Sequence, residues 1–422
     1  MEPRSREEIE LQAHAVSLRV PKLIVLAVIG LAALFALVAC TQRADAKAKK
    51  QSAVVKGPKG LKFYKPPKNI PGRHGTLIWA RKASGVVALQ DARYTKLVLY
   101  SSRTTQGAKD AISGSISVPK GKPPKGGWPV ITWAHGTTGV ADACAPSRDT
   151  QGDPAGTGES YINGDLNAWL QAGYAVLRTD YEGLGTPGKH PYLVGTSEGR
   201  SVLDIVQAAR QLDPTISKRY LIAGHSQGGQ SALFAAGLAS SWQPKLKLRG
   251  TVAFAPASHI LDQESLLPAL TTPSSLTALA TLIVDGASTQ SSAINVNQAL
   301  SDQVLQFYPL LQSQCLGRLG QSDELGGIPP SQLERSGADL SALRPVLAAM
   351  NPAVKTSAPI LIPQGSSDST VFPFLTAQLK DELLGLGDNV TYKTYPGVDH
   401  VGVVTAGEAD ALAFFQQMLP PR

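Results

Sequence analysis

The chain has 422 residues, of which 43% are hydrophobic and 17% charged, and this composition excludes a disordered chain. Its three cysteines exclude a disulfide-dense scaffold and a four-cysteine zinc site. The net charge of +8 is concentrated in residues 41–73, which carry ten basic side chains and one acidic one. The remainder of the chain is close to neutral, and neither a basic fold nor an aromatic platform follows this segment, so we expect no nucleic-acid partner.

The first 40 residues are typical of an export signal or a membrane anchor. Residues 23–42 are a charge-free run of 20, apolar through Ala39, with Arg19 and Lys22 before it. The run ends in Leu-Val-Ala-Cys at residues 37–40, which is similar to a bacterial lipobox, so Cys40 is the predicted lipidation site. An uncleaved single span and an ordinary cleaved signal peptide are the alternatives. In each case we expect a protein outside the cytoplasm, anchored to the cell envelope or secreted.

Residues 41–73 are rich in lysine and proline and predict a basic tether between this segment and the folded body. Near an anionic bilayer each such cation would add roughly 1 kcal/mol of attraction. A solvated linker with no membrane role is the alternative.

From residue 74 the chain alternates apolar, β-rich runs with helical stretches. Strands are predicted at residues 96–102, 111–118, 129–134, 175–180, 219–223, 250–255, 359–363 and 390–395, and helices at 159–172, 197–213 and 227–240. This pattern predicts an α/β fold with a mostly parallel sheet that is covered on both faces. Residues 259–357 are Leu-rich and poor in charge, and they predict a helical cap between two parts of the core, 74–258 and 358–422.

A strand, a tight turn and a helix surround the sequence Gly224-His225-Ser226-Gln227-Gly228. In this context G-x-S-x-G is typical of a nucleophile elbow, a strained turn that exposes the serine Oγ above the sheet. Ser226 is therefore the predicted nucleophile, and the backbone N–H of Gln227 is a predicted oxyanion donor. We expect His225 to be a neighbour and not the base, because adjacent side chains cannot converge on one proton.

In this architecture an acid and then a histidine follow the nucleophile along the chain. Only His259 and His400 lie downstream of Ser226, and His259 leaves no room for a strand that carries the acid. His400 is therefore the predicted base. Asp368 follows the strand at 359–363 and is the predicted acid. Four other acids are less suited by their positions on a helix surface, in a turn or beside His400: Asp381, Glu382, Asp388 and Asp399.

The second oxyanion donor is predicted from the end of the strand at 129–134, where His135-Gly136-Thr137-Thr138 follows. Gly136 lets the backbone turn so that the N–H of either Thr137 or Thr138 faces the oxyanion. No second ligand at suitable spacing accompanies His135, so we expect neither a metal nor another cofactor.

Two cysteines remain if Cys40 carries lipid. In an oxidising compartment Cys144 and Cys315 are an even pair, and two buried free thiols are the alternative.

Further motifs accompany the elbow and the contexts of Asp368 and His400. They are Pro71-Gly72, Gly75-Thr76-Leu77, Leu99-Tyr100-Ser101-Ser102, Ser113-Gly114, Val118-Pro119, His135-Gly136-Thr137-Thr138-Gly139, Cys144-Ala145-Pro146-Ser147, Asp180-Tyr181-Glu182-Gly183-Leu184-Gly185 and His190-Pro191-Tyr192-Leu193-Val194-Gly195. Together they resemble the secretory lipase family, of the fungal lipase A type and its actinobacterial relatives, over about residues 70–415.

The resemblance implies an α/β-hydrolase core, a helical lid, and hydrolysis of carboxylic esters that include acylglycerols. It also implies a disulfide from Cys144 to a cysteine of the cap, for which Cys315 is the only candidate. Little more than a helix follows His400, so a C-terminal flap of the fungal type is not expected. We expect a monomer. The alternative functions are an α/β-hydrolase peptidase and a non-catalytic envelope binding protein.

Overall fold

A computed structural model of the protein describes residues 54–149 and 159–421. Within these residues nine strands form one sheet in the order β1-β2-β3-β5-β4-β6-β7-β8-β9. The strands are β1 (Leu77–Lys82), β2 (Ala92–Arg103), β3 (Lys109–Pro119), β4 (Trp128–Ala134), β5 (Ala175–Thr179), β6 (Ile216–His225), β7 (Lys247–Phe254), β8 (Ile360–Gly365) and β9 (Val390–Tyr395).

The sheet is mostly parallel, which confirms the predicted α/β fold class. The strands from β5 through β4 to β9 all pair in parallel, whereas β1, β2 and β3 extend the sheet by antiparallel pairing. All seven residues of β4 and all six of β8 are buried, because helices cover both faces of the parallel part.

The long helices divide between the two faces of the sheet. They are α1 (Asn163–Gln171), α2 (Gly195–Leu212), α3 (Gln227–Trp242), α10 (Pro373–Gly385) and α11 (Gly402–Met418). The apolar sides of α2 and α3 share one core with β2, β3 and β6. On the opposite face Trp169 of α1 and Phe415 of α11 pack edge to face, with ring centroids 5.4 Å apart.

The chain between β7 and β8 builds a further layer of helices, most of which are short. They are α4 (Ile260–Glu264), α5 (Leu276–Ser288), α6 (Val296–Ala299), α7 (Asp302–Leu305), α8 (Leu316–Leu319) and α9 (Arg344–Ala349). Their Leu-rich sides form a hydrophobic cluster that also includes Val140, Tyr192 and Leu193 from loops of the core. This is the segment that the sequence predicts to be a cap.

Residues 54–73 differ from the predicted tether because they pack against the edge of the sheet. Phe63 is fully buried and Tyr64 nearly so, and the carbonyl of Phe63 accepts the indole N–H of Trp79 in β1 at 3.1 Å. Lys56 also forms a β-bridge with Ala80. Because these two aromatic rings bury apolar surface against the sheet, this basic stretch is part of the folded body.

The predicted lipidation site Cys40 and the rest of the apolar N-terminal run lie outside the described residues. Across 54–149 and 159–421, no helix combines the length and the apolarity needed to cross a membrane.

Candidate active site

Ser226 occupies the turn between β6 and α3 in a strained conformation, with φ 59° and ψ −118°. The turn is held at both ends by the backbone. The N–H of Ser226 donates to the carbonyl of Phe254 in β7 at 2.9 Å, and its carbonyl accepts from Ala257 at 3.1 Å. A non-glycine residue with positive φ persists only where its surroundings enforce it, and such residues cluster at active sites.

Two glycines of the elbow motif are required by close backbone contacts. A Cβ atom at Gly224 would overlap the carbonyl of Gly228, and one at Gly228 would overlap the carbonyl of Ala134 at the end of β4. The start of α3 can therefore approach β4 and β6 only with glycine at both positions.

The predicted acid and base meet at the same edge of the sheet. Asp368 follows β8 and His400 follows β9, and the Nδ1–H of His400 donates to Oδ2 of Asp368 at 2.7 Å. The side chain of Asp368 is fully buried and that of His400 is 14% exposed. Because Nδ1 carries the proton in this bond, the Nε2 of a neutral His400 is left as an acceptor.

The loop after β8 is built to hold Asp368 as a carboxylate. Its Oδ1 accepts the backbone N–H groups of Thr370 and Val371, both at 2.8 Å, and its Oδ2 also accepts from Gln364 at 3.1 Å. Burial alone would raise the pKa of Asp368. The hydrogen bond and charge interaction with His400, together with the two backbone N–H groups, outweigh burial and hold the pKa below its usual value.

The loop between β9 and α11 carries His400, and we call it the base loop. His225 brings the elbow into direct contact with this loop. Its Nε2–H donates to the backbone carbonyl of His400 at 2.9 Å, and the two imidazole rings lie 4.6 Å apart between centroids. The residue before Ser226 therefore touches the predicted base. His225 was expected to be only a neighbour in the elbow, and the sequence carried no signal for this bond.

The predicted oxyanion donors lie on two elements that meet at the elbow. Gln227 is the first residue of α3, where backbone N–H groups have no acceptor within the helix. On the loop after β4, the hydroxyl of Thr137 pairs with the hydroxyl of Tyr192 at 2.6 Å. Thr138 is buried, and its carbonyl accepts the N–H of Leu316 at 2.9 Å.

A buried carboxyl group lies under the elbow, and no sequence motif indicates it. Oε1 of Glu198, in α2, accepts the side-chain N–H of Gln227 at 2.7 Å and the N–H of Leu193 at 2.8 Å. Ser231 donates to Oε2 of Glu198. Burial raises the pKa of Glu198 to about 7 in spite of these hydrogen bonds, and burial lowers the pKa of nearby His190 to about 4.

Cys144 and Cys315 are joined by a disulfide, as the resemblance implied. It connects the loop after β4 to the segment between β7 and β8, beside the hydrogen bond from Leu316 to Thr138. The disulfide therefore attaches the helical layer to the loop after β4. This loop carries Thr137 and Thr138, and we call it the predicted oxyanion loop.

Ser226 lines an apolar cavity that it shares with the helical layer. The loops of the core contribute Tyr192, Leu193 and Val371, and the helical layer contributes mostly aliphatic side chains. Examples from that layer are Ile260, Leu279, Ala280, Ile283, Leu300 and Leu343. Such a cavity accommodates an apolar group in contact with the serine.

The competing candidates have other partners. Nε2 of His259 lies 3.1 Å from a carboxylate oxygen of Glu382, and Asp399 accepts the backbone N–H of Gly402 at 2.7 Å. Asp388 pairs with Lys355 at 3.2 Å. Nδ1 of His135 lies 2.7 Å from the carbonyl of Gly136. In the described part of the chain, no group of three or more His, Cys, Asp or Glu side chains is arranged to hold a metal ion.

Known proteins share both sequence and fold with this chain. The family model described as secretory lipase matches residues 164–286. Lipase A of Moesziomyces aphidis is 27% identical over 197 residues, an alignment that covers 44% of this chain and 41% of that protein. The chain therefore matches less than half the length of this curated relative.

Solved structures extend the similarity to most of the chain. Candida antarctica lipase A in its closed state superposes with a TM-score of 0.70 at 21% identity, covering 84% of this chain and 85% of that one. The rice cell wall degrading esterase LipA of Xanthomonas oryzae superposes with a TM-score of 0.65 at 19% identity, covering 83% and 100%. At these identities the superpositions establish the α/β-hydrolase fold. The family match and the similarity to Lipase A confirm the resemblance to the secretory lipase family that the sequence motifs predicted.

Proposed function

We propose that the protein hydrolyses carboxylic esters through a covalent acyl-enzyme on Ser226. His400 Nε2 takes the proton from the Ser226 hydroxyl as its Oγ attacks the ester carbonyl, and later gives that proton to the leaving alcohol. Asp368 accepts the Nδ1–H of His400 and stabilises the imidazolium. A water molecule, deprotonated by His400, then hydrolyses the acyl-enzyme and returns free Ser226.

The oxyanion is proposed to be held by the backbone N–H groups of Gln227 and Thr137. Thr137 is preferred to Thr138 because its side chain pairs with Tyr192, which lines the same cavity as Ser226. Each such donor contributes on the order of 3 kcal/mol in the transition state.

The observation that carries this proposal is the 2.7 Å hydrogen bond between Asp368 and His400, next to a serine in the strained elbow conformation. The relatives named as lipases and as an esterase support the choice of an ester as substrate. The apolar cavity beside Ser226 supports an acyl group, and we propose acylglycerols or other fatty esters as the substrate class.

The test is a rate series on nitrophenyl esters with acyl chains from two to sixteen carbons, followed by emulsified triacylglycerol. Rates that rise with chain length and persist on the emulsion identify a lipase, whereas rates confined to short esters identify an esterase. Ser226→Ala is the control and is expected to lower kcat by roughly 10⁴-fold or more. A folded Ser226→Ala protein with near-wild-type activity would falsify the proposed mechanism.

We further propose that the enzyme acts outside the cytoplasm. The disulfide and the family description as secretory support this location. Lipidation at Cys40 would attach it to the membrane, and mass spectrometry of the N-terminus tests this. An unmodified Cys40 or an intact Met1 terminus rules lipidation out.

A further inference from the structure

His225 connects the nucleophile to the base by a single side chain. Its backbone continues directly into Ser226, and its Nε2–H donates to the carbonyl of His400 at 2.9 Å. The side chain is almost fully buried between the elbow and the base loop. Any movement of the His400 loop away from Ser226 must therefore break this hydrogen bond.

The bonds of His225 fix both its protonation and its tautomer. A carbonyl oxygen only accepts, so Nε2 carries the proton, and the Nδ1 of the neutral ring accepts the hydroxyl proton of Tyr161 at 2.7 Å. Burial, with the nearby charge of His400, lowers the pKa of His225 to about 3. His225 thus stays neutral and does not compete with His400 for the proton of Ser226.

Tyr161 and His225 also lie beside the predicted oxyanion loop, at Gly136. A Cβ atom built on Gly136 would lie 3.4 Å from the hydroxyl of Tyr161 and 3.6 Å from Nδ1 of His225. The hydrogen-bonded pair therefore packs against the turn that leads to Thr137. The elbow, the base loop and the oxyanion loop all contact these two side chains.

We propose that Tyr161 and His225 form a positioning pair that sets the distance between Ser226 and His400. Asp368 fixes the ring of His400, and His225 fixes its backbone, so the remaining ring nitrogen is directed at Ser226. This inference rests on the proposed function, since it assigns to the pair the geometry of the Ser226–His400 proton transfer. Neither side chain is proposed to exchange a proton with the substrate.

The test compares three variants on a nitrophenyl ester of the preferred chain length. His225→Phe keeps an aromatic ring but loses the donor, and we expect kcat to fall about 100-fold with KM little changed, because a small misplacement of reacting groups has that effect. His225→Gln places an amide N–H near the position of Nε2 and is expected to restore most of kcat. Tyr161→Phe is expected to cause a smaller loss, about tenfold or less.

A double variant separates positioning from general loss of packing. If Tyr161 acts through His225, then Tyr161→Phe has no further effect in the His225→Phe background, and the two losses are not additive. Tyr174→Phe is the matched control, because it removes a buried tyrosine hydroxyl that donates to Leu419 at 3.0 Å, away from the site. It is expected to keep wild-type kcat.

The rate of Ser226 labelling by a fluorophosphonate reports serine activation without an ester substrate. Labelling that slows in His225→Phe and recovers in His225→Gln supports the pair. Wild-type rates in both His225→Phe and Tyr161→Phe, or fully additive losses, overturn it. A wild-type protein that is labelled but hydrolyses no ester would reject the proposed substrate class and leave the pair standing. A folded wild type that is not labelled at all would reject both.

Discussion

Asp368 and His400 are 32 residues apart in sequence, and their side chains meet at 2.7 Å because their strands are neighbours. β8 and β9 pair in parallel from Ile360 opposite Val390 to Gly365 opposite Tyr395. The two loops that follow therefore leave the sheet side by side at its carboxyl edge. The contact is thus set by the register of the sheet, and ligand sites of open α/β sheets are found at this edge.

The first prediction concerns Asp368→Asn. An asparagine amide cannot stabilise an imidazolium and favours the wrong tautomer of His400, so we expect kcat on a nitrophenyl ester to fall by about 10³- to 10⁴-fold. KM should change little. Asp381→Asn is the control, because the side chain of Asp381 lies on the surface of α10 and is 68% exposed. A loss of less than tenfold in Asp368→Asn would remove this residue from the proposed triad.

The elements around Ser226, Asp368 and His400 were predictable because each depends on local sequence. An apolar strand followed by a glycine-rich turn and a helix specifies the elbow, and chain order then selects the acid and the base. Eight of the strands in the described residues were predicted within a few positions. β1 (Leu77–Lys82) was missed because it is a half-buried edge strand whose apolar run, residues 77–80, is short and is followed directly by Arg81 and Lys82.

Other features depend on tertiary contacts that one sequence does not reveal. Glu198 is charged in a helix and would ordinarily be assigned to the surface, yet it is fully buried under the elbow. Phe63 and Tyr64 lie in a lysine-rich stretch, and only their burial against the sheet edge shows that this stretch is folded. The helices of four residues, such as Val296–Ala299, are too short to show a helical period.

The second prediction concerns Gly228→Ala in the elbow. The added methyl group would overlap the carbonyl of Ala134, which belongs to a fully buried strand and has no room to move. We expect a loss of about 1–3 kcal/mol or more in the free energy of unfolding, and a loss of activity as the elbow shifts. Thermal unfolding and esterase rates measure both effects.

Gly385→Ala is the matched control for this variant. Gly385 is the last residue of α10, and no atom lies within 4 Å of an added Cβ. Because alanine favours the helix, we expect unchanged activity and equal or slightly higher stability. Equal melting temperatures for Gly228→Ala and wild type would contradict the close approach at the elbow.

The third prediction concerns pH and Glu198. Burial raises the pKa of Glu198 to about 7 in the folded protein, so the folded protein binds this proton more tightly than the unfolded chain does. The resulting contribution to stability is present in full below the pKa of the carboxyl group in the unfolded chain. That contribution is lost as the pH rises through about 7. From about pH 5 to about pH 8 the wild type should therefore lose on the order of 3 kcal/mol that Glu198→Gln does not lose.

The difference in unfolding free energy between Glu198→Gln and wild type, measured at each pH, isolates this effect. The difference cancels the contributions of other titrating groups, such as Glu182, whose pKa is also raised by burial to about 7. We expect Glu198→Gln to gain relative stability steadily with rising pH. A difference that is constant between pH 5 and pH 8 would show that Glu198 titrates near its ordinary value.

The fourth prediction concerns the disulfide, which closes a loop with a sequence separation of 171. Replacing Cys144 and Cys315 together by alanine is expected to lower the free energy of unfolding by about 2–5 kcal/mol. Reducing the wild type should lower its melting temperature, whereas the double variant should not respond to reductant. Alkylation of both cysteines in unreduced, exported protein would contradict the bond.

The fifth prediction concerns chain-length selectivity in the cavity beside Ser226. Ala280 lies on α5 and lines this cavity, so Ala280→Phe fills space that a long acyl chain would need. We expect kcat/KM for esters of twelve to sixteen carbons to fall by about tenfold or more, which corresponds to about 1.4 kcal/mol or more of transition-state binding. Esters of two to four carbons should be hydrolysed at nearly the wild-type rate.

Ala348→Phe, on the exposed side of α9, adds the same ring outside the cavity and should leave the whole series unchanged. A uniform loss across all chain lengths in Ala280→Phe would instead indicate a distorted helical layer and argue against acyl binding in this cavity.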